Sequence, residues 1–320
     1  MTLRDLLACS FVVALLAGSP PSALAEPLAL DDTELAVEAK FPTTVYWLAY
    51  GFDALWGMQR DALVRLDPAD NSITKIKIEG YRGRNRGIAV GEGALWIPDT
   101  GSHTVFKVDP HSYEVLLTIP VNMAPLSHEG SIAVGEGSVW IATLGGGESW
   151  LGRYSTETGA EVARIPIPPV AFSVVADYGS IWISGSFRHE VYRIDPATNA
   201  IVATIPVPGL PKHMTSGEGA LWVASQETGV IHRIDPATNT VVATFETGIR
   251  EEARGDITTG GGYVWATFRR LPVVQIDPRT NMVVRTYAGL SVAGDAIRFG
   301  DGSLWTAGWG STIYRIAPPQ

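Results

Sequence analysis

Met214-Thr215-Ser216-Gly217-Glu218-Gly219-Ala220-Leu221-Trp222-Val223 reads as two short apolar runs joined by a glycine turn. Ile88-Ala89-Val90-Gly91-Glu92-Gly93-Ala94-Leu95-Trp96-Ile97 repeats the pattern more than a hundred residues earlier. A turn this tight needs positive φ, which glycine supplies at no steric cost, so each stretch reads as a β-hairpin. Outward from the first, Val230-Ile231-His232-Arg233-Ile234 reads as a third strand. Asp235-Pro236-Ala237-Thr238-Asn239 is a turn, and Thr240 to Phe245 a fourth strand. Proline presets φ for that turn, aspartate bonds nearby amides, and asparagine tolerates the left-handed region. Aspartate-proline recurs at Asp67, Asp109, Asp195 and Asp277.

The hairpin tryptophan sets the period. Trp56, Trp96, Trp140, Trp182, Trp222, Trp265 and Trp305 stand 40, 44, 42, 40, 43 and 40 residues apart. A repeat of forty-odd residues built from short strands predicts an all-β, seven-bladed propeller, four antiparallel strands per blade, labelled a to d from axis to rim. Strand b is apolar on both faces, as a strand covered from both sides must be. The tryptophans are therefore expected to pack between blades rather than to bind anything. The last repeat stops after three strands, whereas a spare strand, Glu34 to Phe41, precedes the first. Pairing the two would close the ring and remove an exposed edge.

Residues 1–25 have the layout of a cleaved secretory signal: Arg4, an apolar stretch from Leu6 to Gly18, and Ala23-Leu24-Ala25. The stretch is too short for a permanent transmembrane helix. Residues 26–320 then form one propeller domain, periplasmic or secreted. Cys9 is the only cysteine, so thiolate metal sites, cysteine nucleophiles and disulfides are excluded from the mature chain. The net charge of −9 argues against nucleic acid as a partner, which needs a basic footprint. A monomer is expected.

Function is sought where the repeats differ. The a-to-b and c-to-d turns hardly vary, whereas the d-to-a crossings and b-to-c loops do, including a glycine-rich Gly145 to Trp150 in blade 3. Both variable connections should emerge on one face, and variable loops on a rigid frame carry function. The crossings there hold Arg82, Arg84, Arg86, His128, Glu129, Lys212, His213, Arg254, Asp256 and Asp295, and Trp47 and Phe172 also lie just before a strand a. Trp47, Arg86, His128, Glu129, Lys212, Arg254 and Asp295 are the candidate ligand contacts. Convergent polar and aromatic groups are what a small-molecule pocket uses. The arginines, with Lys212, suit an anionic ligand despite the acidic whole.

The run Arg-Ile-Asp-Pro-Ala-Thr-Asn, at Arg193 and again at Arg233, resembles bacterial seven-bladed propellers of the YVTN-repeat type. The hairpin Gly-x-Gly-x-Leu-Trp resembles the streptogramin (virginiamycin B) lyase-like group of the same superfamily. That resemblance implies a magnesium-assisted β-elimination opening a cyclic depsipeptide ester. It also implies Pro-His pairs before strand a in two adjacent blades and a glutamate near the end of a strand b. Pro211-Lys212-His213 matches the first with one residue inserted; the next blade reads Arg254-Gly255-Asp256, without histidine. The positions after Trp222 and Trp265 offer Gln226, Glu227, Phe268 and Arg269. Any chemistry would use His213 as general base, with Asp256 or Glu227 holding a divalent cation such as magnesium. The missing histidine turns the reading toward binding of a small molecule or peptide at the mouth of the channel, with the lyase or hydrolase as the alternative and a docking scaffold as the third.

Overall fold

The computed structural model describes residues 36–83, 87–121, 124–125, 130–145, 148–169, 171–248, 255–268, 271–287, 295–307 and 312–318. Seven antiparallel sheets follow one another around an axis, running a to d in chain order in all but the last, whose strand d comes from the start of the chain. Their inner strands touch their neighbours all the way round, including blade 7 against blade 1. Blade 7 consists of Ala296–Gly300, Ser303–Ala307 and Ile313–Ile316. Its rim strand is Val37–Phe41, which pairs antiparallel with Ile313–Ile316. Among the described residues no helix is long and apolar enough to cross a membrane; the proposed signal, residues 1–25, lies outside them.

All seven hairpin tryptophans are buried, at 1% exposure or less. Each indole N–H donates to the carbonyl five residues back, at 2.9–3.1 Å. The buried indole thus satisfies its donor at the hairpin and spends its faces on packing. In six blades a strand c cation sits over that ring, for instance the Arg193 guanidinium 5.1 Å from the Trp182 centroid and that of Arg233 5.3 Å from Trp222. The same arginine reaches the next blade. Arg193 Nη1 donates to Pro236 O at 2.8 Å and Asn239 Oδ1 at 2.9 Å; Arg233 does the same to Pro278 and Asn281. The Asp-Pro turn is therefore half of an inter-blade clasp. Asn239, at φ 58°, holds its amide oxygen toward the arginine of the blade before it. Arg315 closes the circle by donating to Pro68 O at 2.6 Å.

Close approach along the axis also needs glycine. A Cβ at Gly300 would overlap the Tyr50 ring of blade 1, and one at Gly260 would overlap Phe299 of blade 7.

Blade 3 departs from expectation. Its strands b and c run Ser138–Gly145 and Glu148–Ser155, so most of the stretch read as a glycine-rich loop is strand. The physical reason is a fifth strand, Ala124–Pro125, which gives Thr143 and Leu144 partners on their inner side. Elsewhere the two variable connections do share a face. Val121 N donates to His103 O at 2.8 Å, Val207 N to His189 O at 2.8 Å, and Gln226 N to Leu210 O at 3.1 Å, each bond joining a crossing to a b-to-c loop.

Candidate functional site

The residue just before the first core position of strand a is Trp47 in blade 1, Ser173 in blade 4, His213 in blade 5 and Asp256 in blade 6. Regular propeller packing brings these positions together around the upper end of the axis. The start of strand a is irregular in blades 4 and 5. Pairing slips between Ala171 and Val174, and again between Pro211 and His213. Such bulges re-aim side chains at the ends of sheets, and here they carry Phe172 and Lys212. Buried serines of blade 4 fix the second bulge. Ser184 Oγ donates to Lys212 O at 2.8 Å and Ser186 Oγ to Pro211 O at 2.7 Å. From blade 5, Gln226 Nε2 donates to Gly255 O of blade 6 at 3.0 Å and holds the start of the strand that carries Asp256.

His213 is the centre of the cluster and is 3% exposed. Its ring stacks on Trp47 with centroids 5.5 Å apart, and Phe172 meets it edge-on at 5.0 Å. Its Nδ1 lies 4.0 Å from Asp256 Oδ1. Asp256 is 1% exposed, and both of its oxygens accept hydrogen bonds. Oδ1 accepts from Ile257 N at 2.8 Å; Oδ2 accepts from Ile297 N at 3.2 Å and from Arg298 Nη1. Burial pushes the Asp256 carboxyl above its ordinary range, and the guanidinium and the two amides pull the other way. The Arg298 guanidinium carbon lies over Trp47, 4.3 Å from the ring centroid, and the Lys212 ammonium stands 5.0 Å from that of Phe172. Both outer aromatics thus carry a cation, and His213 and Asp256 sit between them.

Of the residues read from the sequence, the structure brings together Trp47, Phe172, Lys212, His213 and Asp256. Glu227 is exposed in the turn after strand b of blade 5. Asp295 is half-buried where strand a of blade 7 begins, its N–H donating to Ala307 O at 2.9 Å. Arg84, Arg86, His128, Glu129 and Arg254 lie outside the described residues. Arg298 is the member that loop comparison missed. Its counterparts one step into strand a are Ala49, Ala89, Ala133, Val175, Thr215 and Thr258. An arginine among small and β-branched residues was the available signal, and it lay in a strand rather than a loop.

Among the described residues no three His, Asp or Glu side chains gather as a metal site requires. The described part of the mouth supplies one carboxylate, which accepts from Arg298 and two amides, and one imidazole.

No family model and no curated protein matches the sequence. Solved structures do match its fold. Selenomethionine-substituted virginiamycin B lyase from Staphylococcus aureus superposes with a TM-score of 0.74 at 16% identity, over 88% of this chain and 98% of that one. A catalytically inactive histidine-to-alanine variant of virginiamycin B lyase from the same organism, with quinupristin, gives 0.69 at 16% identity, over 90% and 97%. The Cps50 (Swd1) β-propeller domain of Myceliophteria thermophila gives 0.72 at 13% identity, over 89% and 99%. The chain shares the propeller fold of virginiamycin B lyase, and shares it about equally with a protein of another kind.

Proposed function

We propose that this is an exported propeller that binds a small molecule or short peptide at the mouth of its central channel. One observation carries the reading: side chains from blades 1, 4, 5, 6 and 7 converge there into a cation-capped aromatic cluster around His213. Aromatic walls with a few fixed polar groups are what ligand sites are made of. Two cations against one buried carboxylate favour an anionic ligand despite the acidic chain. Asp256 and Gln226 keep the site in shape, and Lys212 and Phe172, both half-buried, face the ligand. Export rests on residues 1–25, and N-terminal sequencing of the mature protein should begin at Glu26.

The test of binding is calorimetric titration of small aromatic acids, such as benzoate and indole-3-acetate, into the wild type, Lys212→Ala and Phe172→Ala. Both variants should weaken whatever binds. Unchanged affinity in both would remove the mouth as the site.

Elimination chemistry is the second reading. Its support is the fold shared with virginiamycin B lyase and the approach of His213 to Asp256, a base beside an orienting carboxylate. His213 would take a proton, and His213→Ala would abolish turnover with the fold retained. Incubation with quinupristin and magnesium, followed by chromatography, decides it. A ring-opened isomer of unchanged mass means elimination, a product one water heavier means hydrolysis, and intact quinupristin ends this reading for that substrate.

A further inference from the structure

We infer that the blade 4 turn Ser186–Arg188 is the outer lip of this site, and that the ligand is an anion bearing a flat apolar group that lies against Phe187. The inference rests on the mouth being the binding site and specifies what binds there. Phe187 is 66% exposed. The other exposed large apolar side chains among the described residues sit on rim strands, such as Val202, Val242 and Met282, except for Tyr46, which immediately precedes Trp47 of the cluster. Among the described residues, Phe187 and Tyr46 are thus the exposed large apolar groups that belong to the loop-bearing face.

Phe187 is held outward by its neighbours. Ser186 is 1% exposed and anchored through its hydroxyl to Pro211 O at 2.7 Å. His189 is left-handed, at φ 57°, and its N–H donates to Ser186 O at 3.3 Å. The His189 ring bonds Gly209 O, and its carbonyl accepts from Val207 N at 2.8 Å. Both flanks of the turn are therefore tied to the blade 4–5 crossing. Leaving a phenyl ring in water forgoes the gain of burying it. A turn fixed in the conformation that does so is preorganised for a partner that covers the ring.

The same anchor sets the distance to charge. Ser186 bonds the carbonyl of Pro211, the residue before Lys212, so Phe187 and Lys212 are each one residue from a hydrogen bond. With ~3.8 Å between successive Cα atoms, their backbones lie within roughly 10 Å of each other. Arg188 is exposed beside Phe187 and adds a second cation. An exposed aromatic ring with a guanidinium next to it in sequence, and an ammonium on the adjoining strand over Phe172, matches an aromatic carboxylate, sulfonate or phosphate.

The experiment uses two fluorescent probes that differ by one group: 8-anilinonaphthalene-1-sulfonate and its uncharged parent, N-phenyl-1-naphthylamine. They are titrated into the wild type, Phe187→Ala, Arg188→Ala and Lys212→Ala, with melting curves alongside. The sulfonate should bind one per chain and more tightly than the uncharged probe. Phe187→Ala should weaken it by about fivefold or more, the loss of one aromatic contact, without changing the melting temperature. Lys212→Ala should erase the preference for the sulfonate, and Arg188→Ala should reduce it. If Lys212→Ala weakens the sulfonate and Phe187→Ala does not, the lip is wrong and the mouth stands. If Phe187→Ala weakens both probes equally and neither cation matters, the anionic part is wrong. Binding unchanged by all three variants places the probe on the rim and removes the mouth as well.

Discussion

Replacing Arg298 by methionine tests whether the cluster is held together by its ion pair. The Asp256 carboxylate is 2% exposed and Arg298 17%, so the pair is largely desolvated. Removing the cation leaves a buried carboxylate with only the amides of Ile257 and Ile297 as donors, at 2.8 and 3.2 Å. Breaking a buried pair from one side costs about 3–5 kcal/mol. At ~2 °C per kcal/mol, the low end of the range because the chain is long, the midpoint should fall by about 6–10 °C. Asp256→Asn in the same background removes the orphaned charge but keeps an oxygen for one of the amides. The double variant should therefore recover most of the loss. The penalty of Arg298→Met should also shrink on acidification. The lone carboxyl in the folded variant has a raised pKa, so it binds its proton before the unfolded chain does, and stability is regained as pH falls through that value. Urea unfolding of the four proteins of the cycle, at neutral pH and at pH ~5, measures all of this. A single-variant cost below about 1 kcal/mol, or a double variant no better than Arg298→Met, would show that the carboxylate is not held by the arginine.

Four further outcomes follow from the fold. Arg193→Ala removes three hydrogen bonds, to Ser180, Pro236 and Asn239, and a cation from Trp182, and should cost about 1–3 kcal/mol in chemical denaturation, whereas Arg188→Ala should cost nothing measurable. Gly300→Ala drives a methyl into Tyr50 at the blade 7–1 seam and should cost about 1–3 kcal/mol or more; an unchanged midpoint would mean that the seam is loose. His232 is buried, with Nε2 3.1 Å from Pro208 O, and burial lowers its pKa below the ordinary 6.5. The unfolded chain takes up that proton first, so wild-type stability should decline as pH falls from 6.5 to the lower folded value and level off below both. His232→Asn should remove this part of the decline, read from the difference between the two pH–stability curves. Deleting residues 1–41 removes the rim strand of blade 7, and gel filtration should then report association through the open edge.

The tryptophan spacing and the three-stranded last repeat were enough to read the ring and its closure, because both are statements about period and count. The shared face of the variable loops was legible for the same reason. The interior of the site was not. Arg298 meets Asp256 across 42 residues, and no local pattern announces a contact between successive strands a. Asp256 was legible as a residue of the mouth, but a carboxylate paired with an arginine of the next blade reads in sequence like one that is free. Asn199 and Asn239 were legible as turn residues. Their second role, accepting from the arginine of the preceding blade, depends on a neighbour some 46 residues away. In blade 3 the glycines masked a strand, since glycine reads as loop until a neighbouring segment supplies hydrogen bonds.

Ring closure also has a consequence in time. Phe41 pairs with Ile313, so the two halves of the last sheet are separated by roughly 270 residues of synthesis. At about 5–20 residues per second, the first strand waits on the order of 15–50 s for its partner. Throughout that interval strand Val37–Phe41 has no sheet to join, although blades 1 to 6 can already be stacking. A nascent chain in that condition can lend the strand to the finished blade of another molecule. Slowing the ribosome near the end of the message, or crowding many ribosomes on it, should therefore raise the share of strand-exchanged dimers.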